Sequence, residues 1–180
     1  GANLGLAIFA MNIAMWPAIE ELVAGGQKVY KALKYAPFLV AADGGADQLM
    51  AMGHPPDLAI GDFDSISNET RAILGPDRLH EIEAQDDTDF DKALRSVRAP
   101  FVLAAGFSGG RIDHGLAVVN ALARHRGQPC VILGAEDAVF LCPPRITLRL
   151  TVGDRVSLFP LGPVGGTSTG LRWPIGGLRF

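Results

Sequence analysis

Short apolar runs alternate with segments of helical period from the first charged residues through residue 134. Phe38–Ala42 (FLVAA) and Phe101–Ala105 (FVLAA) are uninterrupted apolar runs of strand length, which predicts strands buried on both faces. Ile19–Ala24, Leu58–Ile60 and Val131–Leu133 are shorter runs of the same kind. Between them, Lys28–Tyr35 and Ala46–Met52 are predicted helices. Thr88–Val97 places Phe90, Ala93, Leu94 and Val97 on one helical face, and Thr88 with Asp91 fits a capping box. Asp113–Arg126 is a further helix, with Asp113 as its N-cap and Leu116, Val119 and Ala123 facing inward. Strands alternating with helices predict an α/β fold, a mostly parallel sheet flanked by helices on both faces.

The pattern changes near Pro143-Pro144. Ile146–Leu150 and Arg155–Phe159 alternate apolar and polar, and Gly and Pro are dense from Pro160 to Gly177. Such a pattern predicts antiparallel β structure in a second, small domain. The division falls at 1–142 and 143–180.

Composition changes this picture in three places. Hydrophobic residues make up 48% of the 180, enough for a sizeable core. The net charge of -3 argues against nucleic-acid binding through a basic surface. Residues 1–19 carry no charge, but Asn3, Asn12 and Pro17 interrupt them, so a buried strand or helix is favoured over a membrane span. Cys130 and Cys142 lack zinc spacing, sit in apolar runs and fit reduced core thiols of a cytoplasmic protein.

The charge is unevenly placed. Residues 62–91 hold ten of the nineteen acids and only two basic residues, Arg71 and Arg78. The acids gather where predicted strands end, the edge at which open α/β sheets bind ligands. VAADGGAD (40–47) puts Asp43 before Gly44-Gly45. AIGDFDSI (59–66) spaces Asp62 and Asp64 at i, i+2, on one face if the segment is extended. AQDDTDF (84–90) brings Asp86, Asp87 and Asp89 to a helix start. AAGFSGGRIDH (104–114) is a glycine-rich strand-to-helix turn with Arg111 and Asp113 at the helix entrance.

Glycine-rich turns and helix starts suit phosphate, and arginine neutralises it. Carboxylates beside phosphates repel them unless a divalent cation intervenes, and Mg²⁺ is commonly held by one or two carboxylates plus substrate phosphates. The combination points to a magnesium–nucleotide site. Each piece has a plainer reading. An acid at a helix start is often a cap, which is the favoured reading for Asp87 or Asp91 taken alone. Gly44-Gly45 alone reads as a turn. Asp57 and Asp77 read as solvent-facing, His54 as a loop residue, and His80 and His125 lack partners in sequence; His114 is ambiguous. No GxxxxGK[ST] or GxGxxG motif is present.

Taken together, DGGAD (43–47), GDFDSI (61–66), QDDTDFDKAL (85–94) and GGRIDH (109–114), followed by VSLFPLG (156–162) and TSTGLRWP (167–174), resemble the thiamin pyrophosphokinase family in order and spacing. The resemblance implies an α/β catalytic domain followed by a small antiparallel β-sandwich that holds thiamin, here C-terminally incomplete, and a homodimer. It implies transfer of the pyrophosphoryl group of ATP to the hydroxyl of thiamin, with Mg²⁺ required and AMP released. By motif, Asp43, Asp62, Asp64 and Asp89 would hold metal or organise the triphosphate, with Asp64, Asp89 and Arg111 as catalytic residues. Asp64 and Asp89 are both candidates to accept the alcohol proton. Gly44, Gln85, Asp87 and Thr88 would line the nucleotide site. Ser108, Gly109, Gly110 and Arg111 would contact phosphate, with Asp113 and His114 supporting that turn, and Trp173 would face thiamin. Asp86 is the weakest member of the acid set. The alternatives are a pyrophosphokinase for another alcohol, such as a hydroxymethylpterin, or a catalytically silent nucleotide- or thiamin-binding module.

Overall fold

The computed structural model describes residues 7–11, 38–83, 87–108, 110–134 and 137–178. They form two compact units, 1–147 and 148–180. The predicted strand Ile19–Ala24 and helix Lys28–Tyr35 lie outside the described residues, as do Gln85, Asp86 and Gly109.

The first unit is a seven-stranded sheet with helices on both faces. Its elements in chain order are β1 (Ala7–Met11), β2 (Phe38–Ala42), α1 (Gly45–Ala51), β3 (Leu58–Gly61), α2 (Asn68–Leu74), β4 (Leu79–Glu81), α3 (Asp89–Ser96), β5 (Phe101–Ala105), α4 (Ile112–Arg124), β6 (Cys130–Leu133) and β7 (Ala138–Phe140). The sheet order is β4-β3-β2-β1-β5-β6-β7. β2 pairs parallel with β3, β3 with β4, and β5 with β6. β1 lies antiparallel between β2 and β5, so those two strands point the same way; β7 is antiparallel at the other edge. The sheet is therefore mostly parallel in direction, with two reversed strands.

Side-chain alternation divides the core into two layers. Leu39, Ala41, Leu103 and Val131 face α1 and α2, packing with Ala46, Leu49 and Leu74. Val40, Ala42, Ile60, Val102 and Ile132 face α3 and α4, packing with Phe90, Leu94, Val118 and Leu122. Burial on both faces is why β2 and β5 are apolar at almost every position. α3 docks through Phe90, Ala93 and Leu94, all essentially inaccessible. Truncating Phe90 to Ala would cost about 3–5 kcal/mol at such a site. Thr88 caps α3 by accepting the Asp91 N–H at 3.3 Å. The Asp91 carboxylate, buried, is engaged by Arg124 at 2.9 Å and His125 Nε2 at 2.8 Å, so His125 does have a partner, 34 residues away.

Four expectations are corrected. α4 begins one residue earlier than predicted: Arg111 occupies the N-cap position and Asp113 lies in the first turn, where it faces the helix dipole. Its inward face is Val118, Ala121 and Leu122; Leu116 is exposed. Ile112 and Leu116 line a groove of about 430 Å³ with Phe107, Val119 and Val139. Cys142 is exposed, whereas Cys130 is buried and its thiol is pushed up to about 12 by that burial. No strand is formed among the described residues of 141–178 apart from an isolated bridge at Gly165. There the alternating apolar side chains remain exposed, as Phe159 and Trp173 show, so the pattern is not consolidated by burial. No helix among the described residues is long and apolar enough to cross a membrane.

Candidate functional site

Parallel β2 and β3 end side by side, and each turns sharply into an acid. Asp43 follows β2 and donates its N–H to Ile60 O at 2.8 Å, which pins it to the end of β3. It adopts φ 43°, a left-handed conformation that Asp tolerates better than most residues. Gly61 is required opposite: a Cβ there would lie 2.9 Å from Asp43 Cβ. Gly44 serves the same close approach, since its Cβ would meet Ser65 Cβ at 3.2 Å. The glycines of the motif thus let two strand ends converge.

The segment after β3 is not extended. Phe63 has φ 60°, so Asp62 and Asp64 are brought to one side by a turn rather than by the pleat. The Phe63 ring is buried in the core, and the Arg71 guanidinium lies 5.4 Å from its centroid while donating to Phe63 O. Side-chain burial thereby supports a backbone conformation that is rare for an aromatic residue.

The consequence is a cluster. One carboxylate oxygen from each of Asp43, Asp62 and Asp64 lies within 4.8 Å of the others. Asp43 is buried and its Oδ1 has no hydrogen-bond partner. Burial pushes the Asp43 carboxyl above its ordinary range, partly offset by the Ser65 hydroxyl, and the nearby Asp89 charge pushes it further up. Asp64 is exposed and accepts Ser65 Oγ at 2.7 Å. An orphaned buried carboxylate oxygen facing two further acids fits a cation that supplies the missing partner.

Asp89 joins from the start of α3. Burial raises its carboxyl, Lys92 opposes that, and the Asp62 and Asp64 charges add to the rise. Lys92 is the residue the sequence reading passed over. Its ammonium is buried, 2.9 Å from Asp62 Oδ2 and 3.6 Å from Asp89 Oδ1. Burial opposes its charge, but the Asp62 and Asp89 carboxylates outweigh that and hold its pKa above the ordinary value. The hydrogen bond from Lys92 in turn holds Asp62 below the usual carboxylate range. The available signal was a lysine one helical turn after Asp89, in an acid run otherwise almost free of cations.

Other motif acids have structural partners. Asp47 accepts the Ser67 N–H at 2.9 Å and Oγ at 2.6 Å, fastening the N-cap of α2 to α1. Asp87 pairs with Arg95 on α3. Asp57, exposed by side chain, accepts the Leu39 N–H at 2.7 Å and so secures the start of β2. Thr88 is the α3 cap.

The glycine-rich turn after β5 reaches the same sheet edge, because β5 points the same way as β2 and β3. Gly110 adopts φ 72° there, and Ser108, Gly110 and Arg111 line the groove described above. Arg111 and Asp113 are exposed and pair with each other, Nε to Oδ1 at 3.0 Å; His114 is exposed beside them. That pairing lowers the Asp113 carboxyl and raises the Arg111 guanidinium. Trp173 belongs to the second unit, exposed, with the Arg172 guanidinium 4.7 Å from its ring centroid.

Residues 29–133 match the family model for the catalytic domain of thiamin pyrophosphokinase. The chain is 29% identical over 181 residues to thiamine pyrophosphokinase 1 of Oryza sativa subsp. japonica, covering 78% of this chain and 69% of that protein. It is 26% identical over 176 residues to thiamine pyrophosphokinase 1 of Arabidopsis thaliana, covering 79% and 66%. Among solved structures, thiamin pyrophosphokinase from Geobacillus thermodenitrificans aligns with a TM-score of 0.44 and 32% identity over 52% of this chain and 46% of that one. The chain thus spans about two thirds of these plant relatives and about half of that solved structure. With the matched region running from ahead of β2 to the end of β6 and containing all four acids of the cluster, the chain belongs to the thiamin pyrophosphokinase family through its catalytic domain.

Proposed function

We propose that this chain transfers the pyrophosphoryl group of ATP to the hydroxyl of thiamin, giving thiamin diphosphate and AMP. The observation that carries the reading is the convergence of Asp43, Asp62 and Asp64, with an orphaned buried oxygen on Asp43, inside the region that matches the family. Asp43, Asp62 and Asp64 would hold Mg²⁺, with Asp89 beside them. When bound, the ion would neutralise phosphate charge.

The remaining work falls to the chain itself. β2 and β3 position the acids before substrate arrives, which removes reorganisation from the reaction. Arg111 is the guanidinium available to phosphate at the glycine-rich turn, at the cost of its pairing with Asp113. Ser108 and Gly110 supply that turn's polar groups, with Asp113 and His114 beside them. Asp64 and Asp89 are the two candidates for accepting the alcohol proton; burial pushes the Asp89 carboxyl up, the direction a general base needs. Gln85, Asp87 and Thr88 would border the nucleotide, with Asp87 leaving Arg95 to do so.

Thiamin recognition is assigned to residues 143–180, whose alternating pattern would be consolidated into a small antiparallel β-sandwich only when a second copy of the chain covers it in a homodimer, with Trp173 as its aromatic surface. A cytoplasmic location fits the reduced cysteines. A related pyrophosphokinase or a silent binding module is less well supported, because the acid set and Arg111 are intact and the family match is to a thiamin enzyme. Incubation with ATP, Mg²⁺ and thiamin tests the reading. Thiamin diphosphate and AMP in equal amounts are expected; folded protein that yields neither would overturn it.

A further inference from the structure

We propose that Lys92 is a positioning residue. It keeps the acid cluster assembled without a metal ion and weakens the cluster's hold on a free divalent cation, so that the cation is taken up together with the nucleotide. The inference rests on the reading of Asp43, Asp62 and Asp64 as the metal site. Lys92 is 2% exposed, with its ammonium spent on Asp62 and Asp89. A lysine that grips phosphate must present its ammonium to the cleft; this one is turned into the protein. α3 sets its position through Phe90 and Leu94 in the core, and Ser96 Oγ donates to Lys92 O at 2.7 Å. The ammonium is therefore a fixed part of the fold.

Its effect on the cluster has two parts of opposite sign. Asp62 and Asp89 repel each other, and the buried ammonium within reach of both offsets that repulsion. The same positive charge, bound to Asp62, repels any cation that Asp62 helps to hold. A residue that merely supports a ligand, when removed, loosens metal binding by about 10–100-fold. A buried like charge on a shared carboxylate acts the other way, because the partly buried site screens it poorly. The sign of the change therefore separates the two roles.

The test is Mn²⁺ binding to the nucleotide-free full chain, followed by electron paramagnetic resonance of the unbound ion. K92M is expected to bind Mn²⁺ at least about tenfold more tightly than the parent protein. It should melt at a lower temperature in chelator and recover when Mn²⁺ is added. K92R, which retains the charge, should bind within about threefold of the parent. Should K92M fail to fold, K92Q, which keeps a hydrogen-bond donor but no charge, should give the same tightening. Unchanged or weaker binding in the uncharged variants overturns the proposal. Thiamin diphosphate formation is read separately: turnover with unshifted Mn²⁺ binding sinks only the role of Lys92, whereas shifted binding without turnover sinks only the assigned reaction.

Discussion

The two turns that approach the proposed nucleotide are built in opposite ways. At the ends of β2 and β3, the acids are fixed by the core: Asp43 by backbone pairing and left-handed geometry, Asp62 by a buried lysine, Phe63 by its own ring. At the end of β5, Arg111, Asp113 and His114 are exposed, and Arg111 and Asp113 bind each other. The first turn holds its geometry against electrostatic cost. The second is cheap to rearrange, which suits groups that exchange one partner for a substrate phosphate. Changes at the first turn should therefore alter stability as well as turnover, and changes at the second should alter turnover or substrate affinity alone.

The sharpest contrast is Asp43→Asn. Loss of one candidate metal ligand should lower turnover at least about a hundredfold. Its stability effect has the unusual sign. Burial raises the Asp43 carboxyl, so the folded state favours the protonated form; the associated stability is full below the ordinary Asp value of 3.8 and is lost as pH rises through the raised folded value. Asparagine removes that loss. The variant should melt higher than the parent at pH 7 in chelator, with the difference closing as pH falls below 3.8. Equal melting temperatures at pH 7 would show that Asp43 is not held at an electrostatic cost.

Next in size is Gly61→Ala. A Cβ 2.9 Å from Asp43 Cβ cannot be absorbed by a flexible side chain, so the strand ends must part. A loss of about 1–3 kcal/mol is expected in denaturant unfolding, as for other overpacked sites, with turnover falling alongside. Full activity at unchanged stability would mean the close approach is dispensable.

Arg111→Ala should be quieter in stability and selective in function. The KM for ATP should rise about tenfold with the melting temperature unmoved, because the lost partner is an exposed charge-assisted pair. A change in melting temperature as large as that of Gly61→Ala would erase the contrast between the turns. Asp113→Asn has the smallest expected effect. Freeing Arg111 should leave KM for ATP unchanged or slightly lower, and a tenfold rise would place Asp113 in the binding apparatus.

Much of the fold was legible where burial was complete. FLVAA and FVLAA announced β2 and β5 because strands covered on both faces need apolar residues at every position. α3 was legible because its apolar face recurs at helical spacing. β4 and β7 were not, being three-residue strands at the sheet edges with half-exposed side chains. α2 was missed because only Thr70 and Leu74 are buried, although Ser67 marks its start. In α4, Leu116 read as core but lines a groove. In the candidate site, Asp43, Asp62 and Asp64, which the structure brings together, stood out by their place at strand ends. Asp57, Asp47, Asp87 and Asp91 found partners 8 to 34 residues away, which no local pattern reveals. Lys92 was hidden for the same reason, since an isolated lysine in an acid run looks like a solvated counter-charge.

The reversed strand β1 gives the cleft a gauge. Because it is inserted between β2 and β5, the acid-bearing and glycine-rich turns are held two strand spacings apart rather than one, about 9–10 Å. A single spacing would press the two turns together and leave room for little more than one tetrahedral anion. On the proposed reading, two spacings would suit a chain of phosphates laid between carboxylates on one side and a guanidinium on the other. The five residues Ala7–Met11, by their place in the strand order, thus act as a spacer between the two turns.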